Sequence, residues 1–244
     1  MRERFGARNP KSRALRFHTQ TGGSTLTAQQ PEVNVVRTAY QALAAVLGGT
    51  QSLHTNAQDE ALGLPTSASA RLALRTQQVL AYETGVAEAI DPLAGSYYVE
   101  HLCDALEAEA TALLERIDAL GGAVAALEAG FVHEQIEASA YRHQRAVEEG
   151  ERVVVGVNRF AEDEEPEPRI QRIDEAVVRR RGDELAAFRR ARDGASTSDA
   201  LARLRAAAEG DGPLFAKVRD ALRARATLGE TCGVLREVWG VYEG

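Results

Sequence analysis

Lysine and cysteine are scarce in this chain. Of its 29 basic residues only Lys11 and Lys217 are lysines, a bias that reads as coding preference more than chemistry. Its two cysteines, Cys103 and Cys232, lie far apart with no Cys-x-x-Cys spacing and no neighbouring histidine cluster. That excludes a disulfide framework or a thiolate zinc site and points to a reducing cytoplasm, with both thiols expected as buried packing residues. No run approaches the roughly 20 apolar residues of a membrane span, and Met1–Gly6 has no apolar signal core, so no membrane partner is expected. A net charge of −7 and a pI near 5.4 leave no basic surplus for a general nucleic-acid binder. What remains, 44% hydrophobic and 27% charged over 244 residues, is globular composition sufficient for one large or two small domains.

The informative part lies early. Leu15, Phe17 and Thr19 alternate with Arg16, His18 and Gln20, the period of a strand, and Gly22-Gly23 breaks it. Pro31 suits a first helical turn. Val35, Val36, Ala39, Ala42, Leu43 and Val46 then form an apolar stripe that Gly48-Gly49 ends. A second strand follows, with Gln51, Leu53 and Thr55 alternating with Ser52, His54 and Asn56. This strand–helix–strand unit gathers polar side chains where the strands end, which is where parallel α/β folds keep their sites.

A further helix is expected over 69–83, closed by Gly85, and the character changes after Asp91-Pro92. From Ser96 onward the chain reads as helices near 97–120, 134–148, 169–191, 197–208, 213–226 and 229–238. The β-branched run Val153–Val157 interrupts them, and the acidic, proline-bearing segment Ala161–Pro168 reads as a linker or surface loop. No internal repeat is present. Two strands cannot form an independent parallel sheet, which needs several strands and two covered faces. The reading is therefore the end of a larger sheet domain, residues 1–95, followed by a helical extension, residues 96–244.

Several long motifs carry a specific resemblance. Arg16-Phe-His-Thr-Gln-Thr-Gly-Gly, Leu26-Thr-Ala-Gln-Gln-Pro31, Gly48-Gly-Thr-Gln-Ser-Leu-His-Thr-Asn56 and Asp59-Glu-Ala-Leu-Gly-Leu-Pro-Thr66 resemble the methylmalonyl-CoA mutase large-subunit family. Asp91-Pro-Leu-Ala-Gly-Ser-Tyr-Tyr-Val-Glu100 and Val153-Val-Val-Gly-Val-Asn158 continue the resemblance in the same order, over nearly the whole chain. It implies the C-terminal part of a TIM (β/α)8 barrel, its last two strands, with six strands upstream and a cobalamin-binding domain or subunit supplied separately. It also implies radical rearrangement of acyl-CoA carbon skeletons with adenosylcobalamin. No histidine follows an aspartate at the Asp-x-His spacing of the family's cobalt-ligand motif, so the cobalt ligand is expected from another domain or chain.

By the same resemblance His18 and Ser52 line a barrel axis threaded by the pantetheine arm of CoA. Read from the residues alone, such a polar face serves equally well as a mutually hydrogen-bonded core. Gln20 and Gly23 are implied to lie against the corrin and adenosyl group, where glycine allows close backbone approach; a plain turn glycine is the alternative. Asn56 and Glu60 are implied to bond the adenosine ribose, and otherwise read as a cap and first-turn acid of the following helix. Gly63 and Leu64 are implied to face the corrin. Gln58 departs from the bulky apolar residue, often Phe, that the family carries between this Asn and Asp59. His101, His133 and His143 read as surface or packing residues, and Arg179–Arg181 as a solvated helix end or a partner contact. The residues that grip the migrating thioester are implied to lie outside this chain. Methylmalonyl-CoA, isobutyryl-CoA and 2-hydroxyisobutyryl-CoA thus all stay open as substrates, as does a non-catalytic remnant or assembly module. With so little of a barrel present, Val35, Val36, Leu43 and Leu74 are expected to lack partners, leaving the isolated chain poorly soluble or oligomeric.

Overall fold

The computed structural model describes residues 1–162 and 170–241. Its contacts divide the chain into two units, Met1–Arg172 and Ile173–Gly244. Most of the acidic segment expected as a linker lies outside the described residues.

In the first unit two short helices, α1 (Arg2–Phe5) and α2 (Pro10–Arg13), precede the sheet; Asn9 caps the second and Pro10 opens it. Strands β1 (His18–Gln20) and β2 (Ser52–His54) pair in parallel, with His18 opposite Ser52 and Gln20 opposite His54. The backbone bonds Gln51 N to Phe17 O (3.3 Å) and Thr21 N to His54 O (3.0 Å) extend the ladder at both ends. The strands are shorter than the alternating pattern because Leu15 and Arg16 have no partner strand. Helix α3 (Val33–Leu47) connects them as expected, but begins after Pro31. Val33 N and Asn34 N still bond back to Gln30 O and Pro31 O, the tight turn that precedes it.

Helix α4 (Ser67–Glu83) starts two residues before the apolar pattern because Thr66 caps it, its hydroxyl accepting from Ser69 N. Gly85 then takes φ +69°. Helices α5 (Tyr97–Ala119), α6 (Ala123–Glu128) and α7 (Phe131–Glu148) follow. The sequence pattern does not reveal α6, a short helix bracketed by glycines at positive φ, Gly121, Gly122 and Gly130. Neither α5 nor α7 has a buried residue. Cys103, expected in packing, is exposed because the α5 face that carries it meets nothing. His101, His133 and His143 lie at exposed positions. Val153–Val157 forms no strand among the described residues; a single bridge joins Val155 to Arg159.

The second unit contains α8 (Glu175–Arg190), α9 (Gly194–Glu209), α10 (Leu214–Arg223) and α11 (Leu228–Trp239). Asp174 and Asp193 cap α8 and α9, which moves both starts away from the residues the apolar pattern marks. Arg179–Arg181 lie within α8, exposed and paired with Glu175 and Glu184. The buried apolar cluster of Ala200, Leu204, Ala221 and Ala226 joins the other three helices, with Leu214, Val218, Val234 and Leu235 packed around it. At one end of that core Arg192 grips Glu230 with two 2.6 Å bonds. Glu230 also completes a capping box with Thr227 at the start of α11.

The first unit has no comparable core. A compact body of 26.3 kDa exposes about 10,600 Å², and two separate compact bodies of these sizes about 12,600 Å². The chain exposes 18302 Å², more than two separate compact bodies would. Of the four side chains expected to lack partners, Val36 and Leu74 are uncovered, at 53% and 51% exposure, whereas Val35 and Leu43 are partly covered. No described helix is long and apolar enough to cross a membrane.

The hydrogen-bonded Arg192 guanidinium holds the Glu230 carboxyl down from 4.5 to about 2. Because the folded-state value is depressed, this pair contributes stability at pH above about 4.5 that is lost as pH falls toward 2. Trp239, the single tryptophan, reports on this unit, its indole N–H bonding Ala208 O at 3.1 Å. Urea unfolding followed by Trp239 fluorescence should show a midpoint that falls between pH 5 and 3. Glu230→Gln should lower the midpoint at pH 7 and flatten that dependence.

Candidate functional site

Parallel pairing sends both strands into turns at the same edge, so residues 20–30 and 55–66 meet there. Gln20, the last residue of β1, donates from Nε2 to Asn56 Oδ1 at 3.0 Å. Thr21, buried, accepts the Asn56 backbone N–H on its hydroxyl at 2.9 Å. Asn56 is 2% exposed, and its Nδ2 has no hydrogen-bond partner among the described residues.

Gly23 sits directly against that amide. A Cβ at position 23 would lie 2.9 Å from Asn56 Nδ2 and 3.7 Å from Glu60 Oε1. The glycine is therefore required by close approach, not by a left-handed turn; any side chain would displace the Asn56 carboxamide. Four of the residues singled out from the sequence, Gln20, Gly23, Asn56 and Glu60, thus form one cluster.

The structure removes the cap reading of Asn56, because α4 begins eleven residues later and Thr66 caps it. The intervening turn is held by Asp59. Its Oδ2 accepts from Ser69 Oγ at 2.5 Å and from Thr66 N at 2.9 Å, and its backbone O accepts from Leu62 N and Gly63 N. Asp59 is a structural member of the site that sequence reading passed over; its place three residues after Asn56 and seven before a threonine cap was the available signal.

Glu60, Gly63 and Leu64 are exposed on the same turn, Leu64 at 54%, and Gly63 takes φ +159°. They form an open face. Cavities of about 320 Å³, lined in part by Gln58 and Asp59, and about 220 Å³, lined in part by His54 and Glu60, flank the turn. Both are small for a corrin. His18 and Ser52, opposite each other in the register, share a 2.7 Å hydrogen bond between Nδ1 and Oγ and are both exposed. The mutually bonded reading therefore describes their present contact, on a face that no described residue covers. No group of three or more histidine, cysteine or acidic side chains poised to hold a metal occurs among the described residues.

The donor set suits a nucleoside-bearing ligand. An exposed carboxylate accepts from ribose hydroxyls, a buried carboxamide N–H₂ lacks an acceptor, and a glycine surface admits a flat group. Fold and site together define a strand–helix–strand segment of a parallel α/β protein whose polar residues gather at the carboxyl ends of its strands. The family model described as methylmalonyl-CoA mutase matches residues 1–241, and the chain belongs to that family.

The chain is 47% identical over 241 residues to a methylmalonyl-CoA mutase of Escherichia coli, covering 98% of this chain and 34% of that protein. It is 44% identical over 244 residues to the 2-hydroxyisobutanoyl-CoA mutase large subunit of Aquincola tertiaricarbonis, covering 99% of this chain and 43% of that one. A methylmalonyl-CoA mutase of Rhizobium meliloti is 46% identical over 242 residues. The chain thus spans between a third and a half of the length of these curated relatives.

Gly23→Ala should displace the Asn56 carboxamide and cost about 1–3 kcal/mol of local stability. Side-chain amide NMR of Asn56 in labelled protein checks this: the resonance should shift or broaden, whereas Gly182→Ala, with open space at its Cβ position and no positive φ, should leave it in place.

Proposed function

We propose that this chain supplies the adenosyl-facing edge of an adenosylcobalamin-dependent acyl-CoA mutase. In this reading residues 1–95 are the last two strand–helix units of its catalytic barrel and residues 96–244 its helical extension. The observation that carries this is the single cluster formed by Gln20, Gly23, Asn56 and Glu60 at the ends of two parallel strands. Membership of a family whose relatives are named as mutases supports the reaction class.

When bound, adenosylcobalamin would supply the radical chemistry, and the work of this chain's own residues would be positioning. Asn56, oriented by Gln20 and Thr21, donates its free N–H to the ribose, and Glu60 accepts from a ribose hydroxyl. Gly23, Gly63 and Leu64 give the corrin an open, flat approach. His18 and Ser52 face the barrel axis and hydrogen-bond the pantetheine arm of the acyl-CoA. The cobalt ligand, the thioester-gripping residues and six further strands belong to an N-terminal barrel half and a cobalamin-binding domain or subunit. Methylmalonyl-CoA is the substrate of default, with 2-hydroxyisobutanoyl-CoA the rival that a 44% identical relative's name supports. A cytoplasmic location fits the free thiols.

Calorimetric titration of adenosylcobalamin and acyl-CoA into this chain, alone and then combined with chains supplying the remaining barrel and the cobalamin domain, tests the proposal. Binding and turnover are expected only in the combination. There, Asn56→Ala and Glu60→Gln should each weaken cofactor affinity about tenfold. Absence of binding in every combination would reduce the family membership to ancestry and leave a non-catalytic remnant.

A further inference from the structure

The ladder that brings the two site turns together ends at Thr21 and His54, before either turn begins. Past that point Asn56 is bonded by Gln20 and Thr21, and Gln41 of α3 bonds Gly22 N and Thr25 Oγ1 on either side of Gly23. Asn34, in the first turn of α3, adds the bonds that tie the later part of the first turn to the middle of the second. It is fully buried. Its Nδ2 donates to Thr27 O at 2.8 Å and to Gln58 O at 2.9 Å, one carbonyl from each turn. Its Oδ1 accepts from Thr27 N at 3.1 Å and Arg37 Nη1 at 2.7 Å. All four hydrogen-bonding positions of the carboxamide are used. Gln58 lies two residues after Asn56 and two before Glu60, so the bond pins the middle of that turn.

Arg37 fixes Asn34 from behind. Its guanidinium also donates to Thr27 Oγ1 at 3.0 Å and, through Nη2, to Val155 O at 2.6 Å. Val155 belongs to the β-branched run that forms no strand. That segment is a rigid loop, because Asn158 ties together Val147 O, Arg152 O and Val154 N. The loop meets the first turn again where Gln30 Nε2 donates to Phe160 O at 2.9 Å. Gly156, at φ +80°, lies so close that a Cβ there would be 3.0 Å from Gln30 Oε1.

We propose that Asn34 is a positioning residue for the cofactor-facing turn: backed by Arg37 and the 152–160 loop, it locks Thr27 to Gln58 and so fixes Asn56 and Glu60 opposite Gly23. The aim of this lock rests on the proposed adenosylcobalamin site; the lock itself rests on the hydrogen bonds. The lock uses the backbone carbonyl of Gln58 and so is indifferent to the side chain at that position.

Asn34→Asp keeps the volume and the contact with Arg37 but turns both donors into acceptors, setting a carboxylate against Thr27 O and Gln58 O. Arg37→Gln, which leaves Asn34 and its donors in place, covers the case in which that change prevents folding. Backbone hydrogen exchange of the full chain reads the result without ligand. Glu60, Leu62 and Gly63, whose N–H groups bond within the turn, should exchange about tenfold faster or more in Asn34→Asp, and less markedly so in Arg37→Gln. Amides of α4 and of α9–α11 should keep their rates. Unchanged turn amides would overturn the lock, and equal acceleration throughout the first unit would reduce Asn34 to a general structural residue. In the assembled protein the adenosylcobalamin Kd should rise about tenfold in Asn34→Asp. A loosened turn with unchanged Kd would overturn the positioning role. If the parent assembly binds no cofactor, the functional reading fails, and the exchange rates still decide whether Asn34 locks the turns.

Discussion

The parallel pairing of β1 with β2 is the constraint on which the site depends. Side chains alternate along a strand, so the register of His18 on Ser52 places His18, Gln20, Ser52 and His54 on one face. The same register leaves Thr19 and Leu53 on the opposite face, partly covered. A slip of one residue would send Gln20 to that opposite side and break its bond to Asn56. Antiparallel strands would put the two turns at opposite ends of the sheet and separate the cluster altogether. Helix α3 exists in this economy to return the chain for a second parallel pass, and its first turn contributes Asn34 to the edge where the turns meet.

The two units are held by different means. Ile173–Gly244 has its own apolar cluster, capped helices and a strong ion pair between Arg192 and Glu230, the features of a small body that folds on its own terms. Met1–Arg172 relies more on hydrogen bonds than on burial. Its largest fully buried side chains are Asn34, Asn56 and Thr38, and its long helices α5 and α7 have no fully buried residue. Such a unit is ordered locally around its polar edge while large apolar surfaces stay open.

The strand–helix–strand unit was legible because period-2 and period-3.6 patterns switch cleanly at Gly22-Gly23 and Gly48-Gly49. Helix starts were less so: Thr66, Asp174 and Asp193 cap helices two to six residues away from where the apolar pattern begins, since a cap is set by one side chain and not by periodicity. Cys103 was misplaced because helical amphipathicity cannot reveal whether a partner is present to cover the face. The site residues were picked out through resemblance, but their mutual contacts were not. That Gly23 is needed for Asn56, and that a buried asparagine on α3 links both turns, depends on separations in space that sequence spacing does not encode.

The central claim is that Gln20 and Asn56 act together on one ligand across the two strands. A double-mutant cycle of Gln20→Ala and Asn56→Ala, read as adenosylcobalamin affinity in the assembled protein, measures it most directly. The account predicts strong non-additivity, the double variant losing little more than Asn56→Ala alone, because Gln20 works by orienting Asn56. Additive losses, or no loss from either change, would mean that the two side chains do not share a ligand and would contradict the account.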